Sequence, residues 1–176
     1  MSDVDTTIFA LQRNWDMVST AVDGVDDDIL KQMPNDESNS IAWLVWHMTR
    51  VEDRFIHARF QETGQLWTAG GWHGKFGMKD DPDEFGIGWS TQQVADWNCP
   101  SREVLMGYYD AVNAAARSYI QGLDAGGLER RVPAPGPAGS TMSVADALGI
   151  LVWDNIVHGG QIAYIRGYFG GTGWHR

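Results

Sequence analysis

Asp154 and His158 stand four residues apart, a spacing that puts both side chains on one helix face one turn apart, and Gln161 extends the same stripe. His47 lies within the apolar run AWLVWHMT, next to Trp43 and Trp46, so on a helix its imidazole is expected to face the interior. Two histidines and one carboxylate form the three-ligand set of an open zinc site, which leaves positions for water or substrate. Nickel and iron(II) accept the same set. Spacing by itself leaves a second reading open, with Asp154 and His158 as a surface pair and His47 as a hydrogen-bonded core histidine.

The other reactive side chains offer less. His57 follows His47 by ten residues, nearly three helical turns, too far to share an ion. His73 is expected on a loop surface and His175 in a frayed terminal segment, GGTGWHR. Cys99 has no histidine near it in sequence and reads as a buried or inert thiol.

Helices must position these groups. Ile8, Leu11, Trp15, Val18 and Val22 recur at spacings of three and four, which predicts a first helix from Thr7 to Val22. Gly24 and the acidic Asp26 to Asp28 break it, and Met33-Pro34 reads as irregular chain. Asn39-Ser40 signals the start of a second helix, Ile41 to about Gln61, free of Gly and Pro and carrying His47. A third is expected from near Ser101 to Leu123, followed by Gly126-Gly127. The stretch RRVPAPGPAGSTMS is expected to form a tight connector or a small hairpin. Ser143 and Asp146 resemble a capping box that opens a fourth helix reaching Tyr168 and carrying Asp154 and His158. Gly159-Gly160 inside it costs about 1 kcal/mol per Gly relative to Ala, which close approach of another helix or a ligand would explain.

Gly64 to Ser90 has no sustained period; it is rich in Gly, carries three Trp and includes Asp80, Asp81, Asp83 and Glu84. A loop this long with so much aromatic surface is expected to be ordered. Trp67, Trp72, Phe76 and Trp89 either wall a pocket or cover the apolar end of the helices. The expected fold class is all-α: a four-helix bundle with a long crossover loop between helices two and three, in one domain over residues 1–176.

Composition narrows the partners. Thirteen Lys and Arg against 23 Asp and Glu give a formal charge of −10, which repels phosphate backbones and anionic bilayers, so neither nucleic acid nor membrane is expected. The most apolar segment, Ala145 to Val157, is interrupted by Asp146 and Asp154 and is shorter than the roughly 20 residues of a membrane span. With one cysteine and an N-terminal segment lacking the basic and apolar regions of a secretion signal, a cytoplasmic location is expected.

The run WDNIVHGGQIAYIRG at Trp153 to Gly167 resembles the final-helix signature of the DinB-like superfamily, a His or acidic residue followed after three residues by a His and then closely by Gly-Gln. The mid-helix His47, the Trp-rich crossover ending in GIGWS, the LMGYYDAVNAAARSYI helix and the Val-Pro connector follow in the expected order, so the resemblance spans most of the chain. It is nearest to the actinobacterial branch that includes mycothiol-dependent maleylpyruvate isomerase. The resemblance implies a four-helix bundle with a divalent metal at one end, zinc first and nickel or iron as alternatives. Its His, Glu and His ligands carry over to His47, Asp154 and His158, with the departure that Asp154 is one methylene shorter than Glu. The implied function is a metal-dependent S-transferase or isomerase in which mycothiol or a similar low-molecular-weight thiol attacks a small electrophile as thiolate.

Arg50, Gln161 and Arg166 are then expected to bind carboxylates of the thiol or the substrate, or to be solvated. Trp43, on the same helix face as His47 and Arg50, and the loop Trp72 are expected near the metal end. The alternative function is a metal or small-molecule binding bundle without turnover, of a stress-related kind. Exposed apolar residues on such a bundle suggest a homodimer.

Overall fold

Apolar periods of three and four become long helices wherever a polar cap starts them and no Gly or Pro stops them. The computed structural model describes residues 3–135 and 137–175. In chain order the elements are α1 (Asp3–Val22), α2 (Asp27–Lys31), α3 (Ile41–Asp53) running on as a π-helical segment (Arg54–Gln61), α4 (Leu66–Ala69), α5 (Trp72–Lys75), α6 (Thr91–Ala95), α7 (Arg102–Gln121), α8 (Ala125–Glu129), β1 (Arg131–Pro133), β2 (Thr141–Ser143) and α9 (Val144–Gly170). Ser40 caps α3 by accepting from the Trp43 amide, and Ser101 caps α7 through the Val104 amide. Ser143 and Asp146 form a reciprocal capping box at the start of α9.

The four long helices close a ring in which α1 packs on α9, α9 on α3, α3 on α7 and α7 on α1. Their directions follow from which residues meet. Arg102 bonds the Val22 carbonyl and Tyr109 that of Trp15, so α1 and α7 are antiparallel. Arg50 meets Tyr108 and Phe60 stacks on Tyr119, so α3 and α7 run the same way. Asn14 bonds the Asn155 carbonyl while Met17 lies beside Ala163, so α1 and α9 are parallel. Two successive long helices, α3 and α7, therefore point in one direction. The chain must travel back along the whole of α3 and its extension, about 30 Å at 1.5 Å per residue, before α7 can begin.

That return is the crossover, and it is built rather than loose. The expected loop from Gly64 to Ser90 contains α4 and α5, and α6 follows at once; all three, like α2, escaped the sequence reading, and so did α8, which holds the Gly126-Gly127 pair read as a helix end. Trp67 and Phe76 are buried and join the core formed by Leu11, Trp15, Val18, Leu44, Trp46, Leu105, Val112 and Leu151. The Pro-rich connector is an antiparallel hairpin pairing Arg131 with Ser143 and Val132 with Met142. Among the described residues no helix is long and apolar enough to cross a membrane.

Candidate metal centre

α3 and α9 bring His47, Asp154 and His158 together across their contact. Each offers one ligand atom, and the three atoms lie within 4.8 Å of one another. His47 is 5% exposed, and the side chains of Asp154 and His158 are 14% and 19% exposed, so the cluster is set under the surface with an opening on the α9 side.

Both imidazoles have one nitrogen committed elsewhere. His47 Nδ1–H donates to the Phe85 carbonyl at 2.5 Å, and Trp43 stacks flat on the ring at 4.8 Å. His158 Nδ1–H donates to Gln161 Oε1 at 2.8 Å, while its Nε2 faces Asp154 Oδ1 at 3.5 Å. A partner on Nδ1 fixes the tautomer and leaves Nε2 as the free donor, which is how histidine ligands are oriented in metal sites. The other oxygen of Asp154, Oδ2, is buried without a hydrogen-bond partner. A buried carboxylate oxygen left unpaired is costly, and a cation answers that cost. The residues present therefore fit a divalent metal.

The electrostatics of the two histidines differ. Burial pushes the His47 pKa down, with His158 adding to the effect against the Phe85 carbonyl and Asp154. His158 is raised above 6.5: burial opposes the charge, but the bonds to Asp154 and Gln161 outweigh it. One turn beyond the cluster, Glu52 is wholly buried, accepts a 3.3 Å bond from Trp15 Nε1, and has its carboxyl pushed up to about 8 by burial and by Asp154 and Asp53, against hydrogen bonds from Asn155 and Trp15.

Arg50 differs from expectation. It has no exposed surface. Its Nε donates to the Glu84 carbonyl, Nη2 to the Pro82 carbonyl, and Nη1 to Gln65 Oε1 and Tyr108 Oη, while the guanidinium lies over Trp67. Arg50 holds the crossover down and is not open to a diffusible ligand. Arg166 turns toward Gly170 on its own helix, two turns past His158. Gln161 is exposed, but its carbonyl is used to orient His158. Trp72 packs on Tyr108 of α7 instead of standing beside His47. His73 bonds the Trp67 carbonyl, and His57 bonds Asp53 at 2.7 Å. The Cys99 thiol is half-buried and pushed up to about 11 by burial, consistent with an unreactive thiol.

The contribution that sequence reasoning missed is the Phe85 carbonyl. It reaches His47 because Gly86, at φ +86°, turns the chain tightly against Trp43 and Trp46; a Cβ there would lie 2.7 and 2.9 Å from their rings. The glycine was the available signal.

Beside the centre a groove of about 780 Å³ runs along α9. Leu44, Ile156, Val157 and Tyr164 form its apolar part, Asn35, Glu37, Ser38, Asn39 and Gln161 its polar part, and among the described residues no Lys or Arg lines it.

A profile of the DinB superfamily matches residues 10–162. A crystal structure of a conserved protein of locus from Enterococcus faecalis superposes with a TM-score of 0.83 at 21% identity, covering 95% of this chain and 96% of that one, a likeness of fold. No curated protein matches the chain.

Proposed function

The chain belongs to the DinB superfamily, and from that premise and the three converging side chains we propose that it is a metal-dependent thiol transferase or isomerase acting on a small electrophile. His47 Nε2, His158 Nε2 and an Asp154 oxygen would hold the ion. A divalent cation in this place supplies the positive charge that keeps a low-molecular-weight thiol, mycothiol or one like it, as thiolate at neutral pH. The protein's part is orientation: Phe85 and Gln161 set the two imidazoles, and Asp154 offsets one unit of the cation's charge.

The observation that carries the reading is the unpaired, buried Asp154 Oδ2 beside two histidines whose Nδ1 atoms are already engaged. The groove next to it suits a ligand of mixed character. Amide, hydroxyl and carboxylate groups face one part of the cavity and tyrosine and aliphatic side chains another, so hydroxyl-rich polar groups fit it better than carboxylates do. Arg50 is committed to the crossover, so the polar lining offered to a ligand is Asn35, Glu37, Ser38, Asn39 and Gln161.

Elemental analysis of purified protein together with a thiol-conjugation assay over several electrophiles tests the proposal. The expected result is about one equivalent of a divalent metal and thiol consumption that stops on chelation and returns with metal. Bound metal with no turnover for any thiol would leave a binding bundle; no metal at all would remove the basis of the mechanism.

A further inference from the structure

α9 is apolar on both sides. One side, with Leu148, Leu151, Ile162 and Ile165, is in the core. The opposite side places Ile150, Trp153, Ile156, Val157, Tyr164 and Tyr168 in water, with Trp153 66%, Tyr164 73% and Tyr168 60% exposed. From Ala147 to Ile165 the only charged residue is Asp154, and it is turned toward His47. A helix apolar all round is normally buried all round. These side chains leave on the order of 600 Å² of apolar surface uncovered, at the top of the range for a monomer and near the roughly 800 Å² that each partner contributes to a stable complex.

The glycines of α9 divide by side. At Gly159 a Cβ would collide with Asn14, so the internal packing requires a glycine there. At Gly149 and Gly160, both on the exposed side, a Cβ would meet nothing within 4 Å. Each weakens the helix relative to Ala, and neither makes room for a neighbour inside this chain. Close approach from outside the chain would account for them.

The shape of the face says what that is. Tyr164 and Tyr168 form a ridge with a groove on either side, the one of about 780 Å³ past Gly160 and another of about 540 Å³ bounded by Met17, Ala163 and Trp174. A surface carrying both ridge and groove is complementary to itself, the requirement of a two-fold interface. We propose that α9 is the seat of a homodimer in which two copies cross antiparallel near Gly160, Val157 of each facing Tyr164 of the other and Trp153 facing Tyr168. The tyrosine ridge of the second copy then walls the groove that is lined by Gln161, the hydrogen-bond partner of His158. The pairing does not depend on the metal reading.

Each copy carries a formal charge of −10, and the charge-free strip is where two such molecules can touch. Long-range repulsion therefore opposes an apolar contact, and added salt should tighten the dimer by screening that repulsion. Sedimentation velocity of the full chain from about 1 to 100 µM, in low salt and in about 0.5 M NaCl, reads this directly. The expected result is a dimer favoured by concentration and by salt, with Tyr164→Glu and Gly160→Leu each weakening it tenfold or more while circular dichroism and melting temperature hold. Should Gly160→Leu fail to fold, Tyr164→Glu, at an exposed position, decides alone. A parent that stays monomeric throughout, or two folded variants that dimerise like the parent, would overturn the proposal. So would a monomer that co-sediments with neutral phosphatidylcholine vesicles, since the face would then belong to lipid.

Discussion

At the scale of single residues, the centre depends on which nitrogen of each imidazole is free. His158→Ala removes a ligand, and Asp154→Ala removes the carboxylate whose Oδ2 has no other partner; both should lose stoichiometric metal with the helical signal retained, as read by equilibrium dialysis and circular dichroism. Gln161→Ala leaves all three ligands but frees His158 to rotate, and metal affinity should fall by about 10- to 100-fold, the usual cost of an orienting partner. Metal and proton compete for His158. Its pKa is raised above 6.5 in the fold, so metal binding should weaken as pH falls through that raised value, with about one proton released per ion bound in the same window. His47, pushed down chiefly by burial, stays neutral there and adds no second proton. Titration calorimetry in buffers of different ionisation enthalpy counts the protons; a constant affinity across the window would contradict this account.

The elements are joined by the crossover, and its seating on α3 is a matter of backbone. Arg50 holds the Pro82 and Glu84 carbonyls, Asp53 accepts the Leu66 and Trp67 amides, and the chain between them delivers the Phe85 carbonyl to His47. Gly86→Ala would push a methyl group into Trp43 and Trp46 at a φ that side chains rarely adopt, so the variant should lose about 1 to 3 kcal/mol of stability and bind metal less tightly, by chemical denaturation and dialysis. The four long helices were legible in the sequence because their signal is local, a period and a cap within one segment. The placing of Asp154 and His158 on one face of α9 was legible for the same reason. The short helices α2, α4, α5 and α6 span four or five residues, too few for a period, and the role of Arg50 was hidden because spacing on α3 cannot distinguish a side chain facing a ligand from one facing a returning chain. A backbone carbonyl such as that of Phe85 carries no residue identity to read.

Across the whole molecule, the interior holds a carboxyl that favours acid. Glu52 keeps its proton to about pH 8 in the fold, whereas the unfolded chain loses it near 4.5. Its stabilising contribution is therefore complete below 4.5 and declines as pH rises through 8, by a few kcal/mol in all. Glu52→Gln should flatten this dependence: in the presence of chelator, the difference in melting temperature between parent and variant should move in favour of the variant from pH 5 to pH 8.5. Parallel pH profiles would show that Glu52 is charged in the fold. The effect belongs to the bundle as a whole because Glu52, on α3, meets Trp15 of α1 and Asn155 of α9.

The flat contact of Trp43 with His47 has an optical consequence. Trp43 lies 6.3 Å from Trp46 and 6.4 Å from Trp89, and Trp46 lies 5.2 Å from Trp89 and 5.4 Å from Trp97, so excitation absorbed by any of these indoles can migrate to the one touching the imidazole. An open-shell ion such as nickel or cobalt accepted by His47 should dim the emission of the whole group, whereas closed-shell zinc should only shift it. The protein thus contains its own lamp for reading, without any label, whether the pocket between α3 and α9 is filled and by which kind of ion.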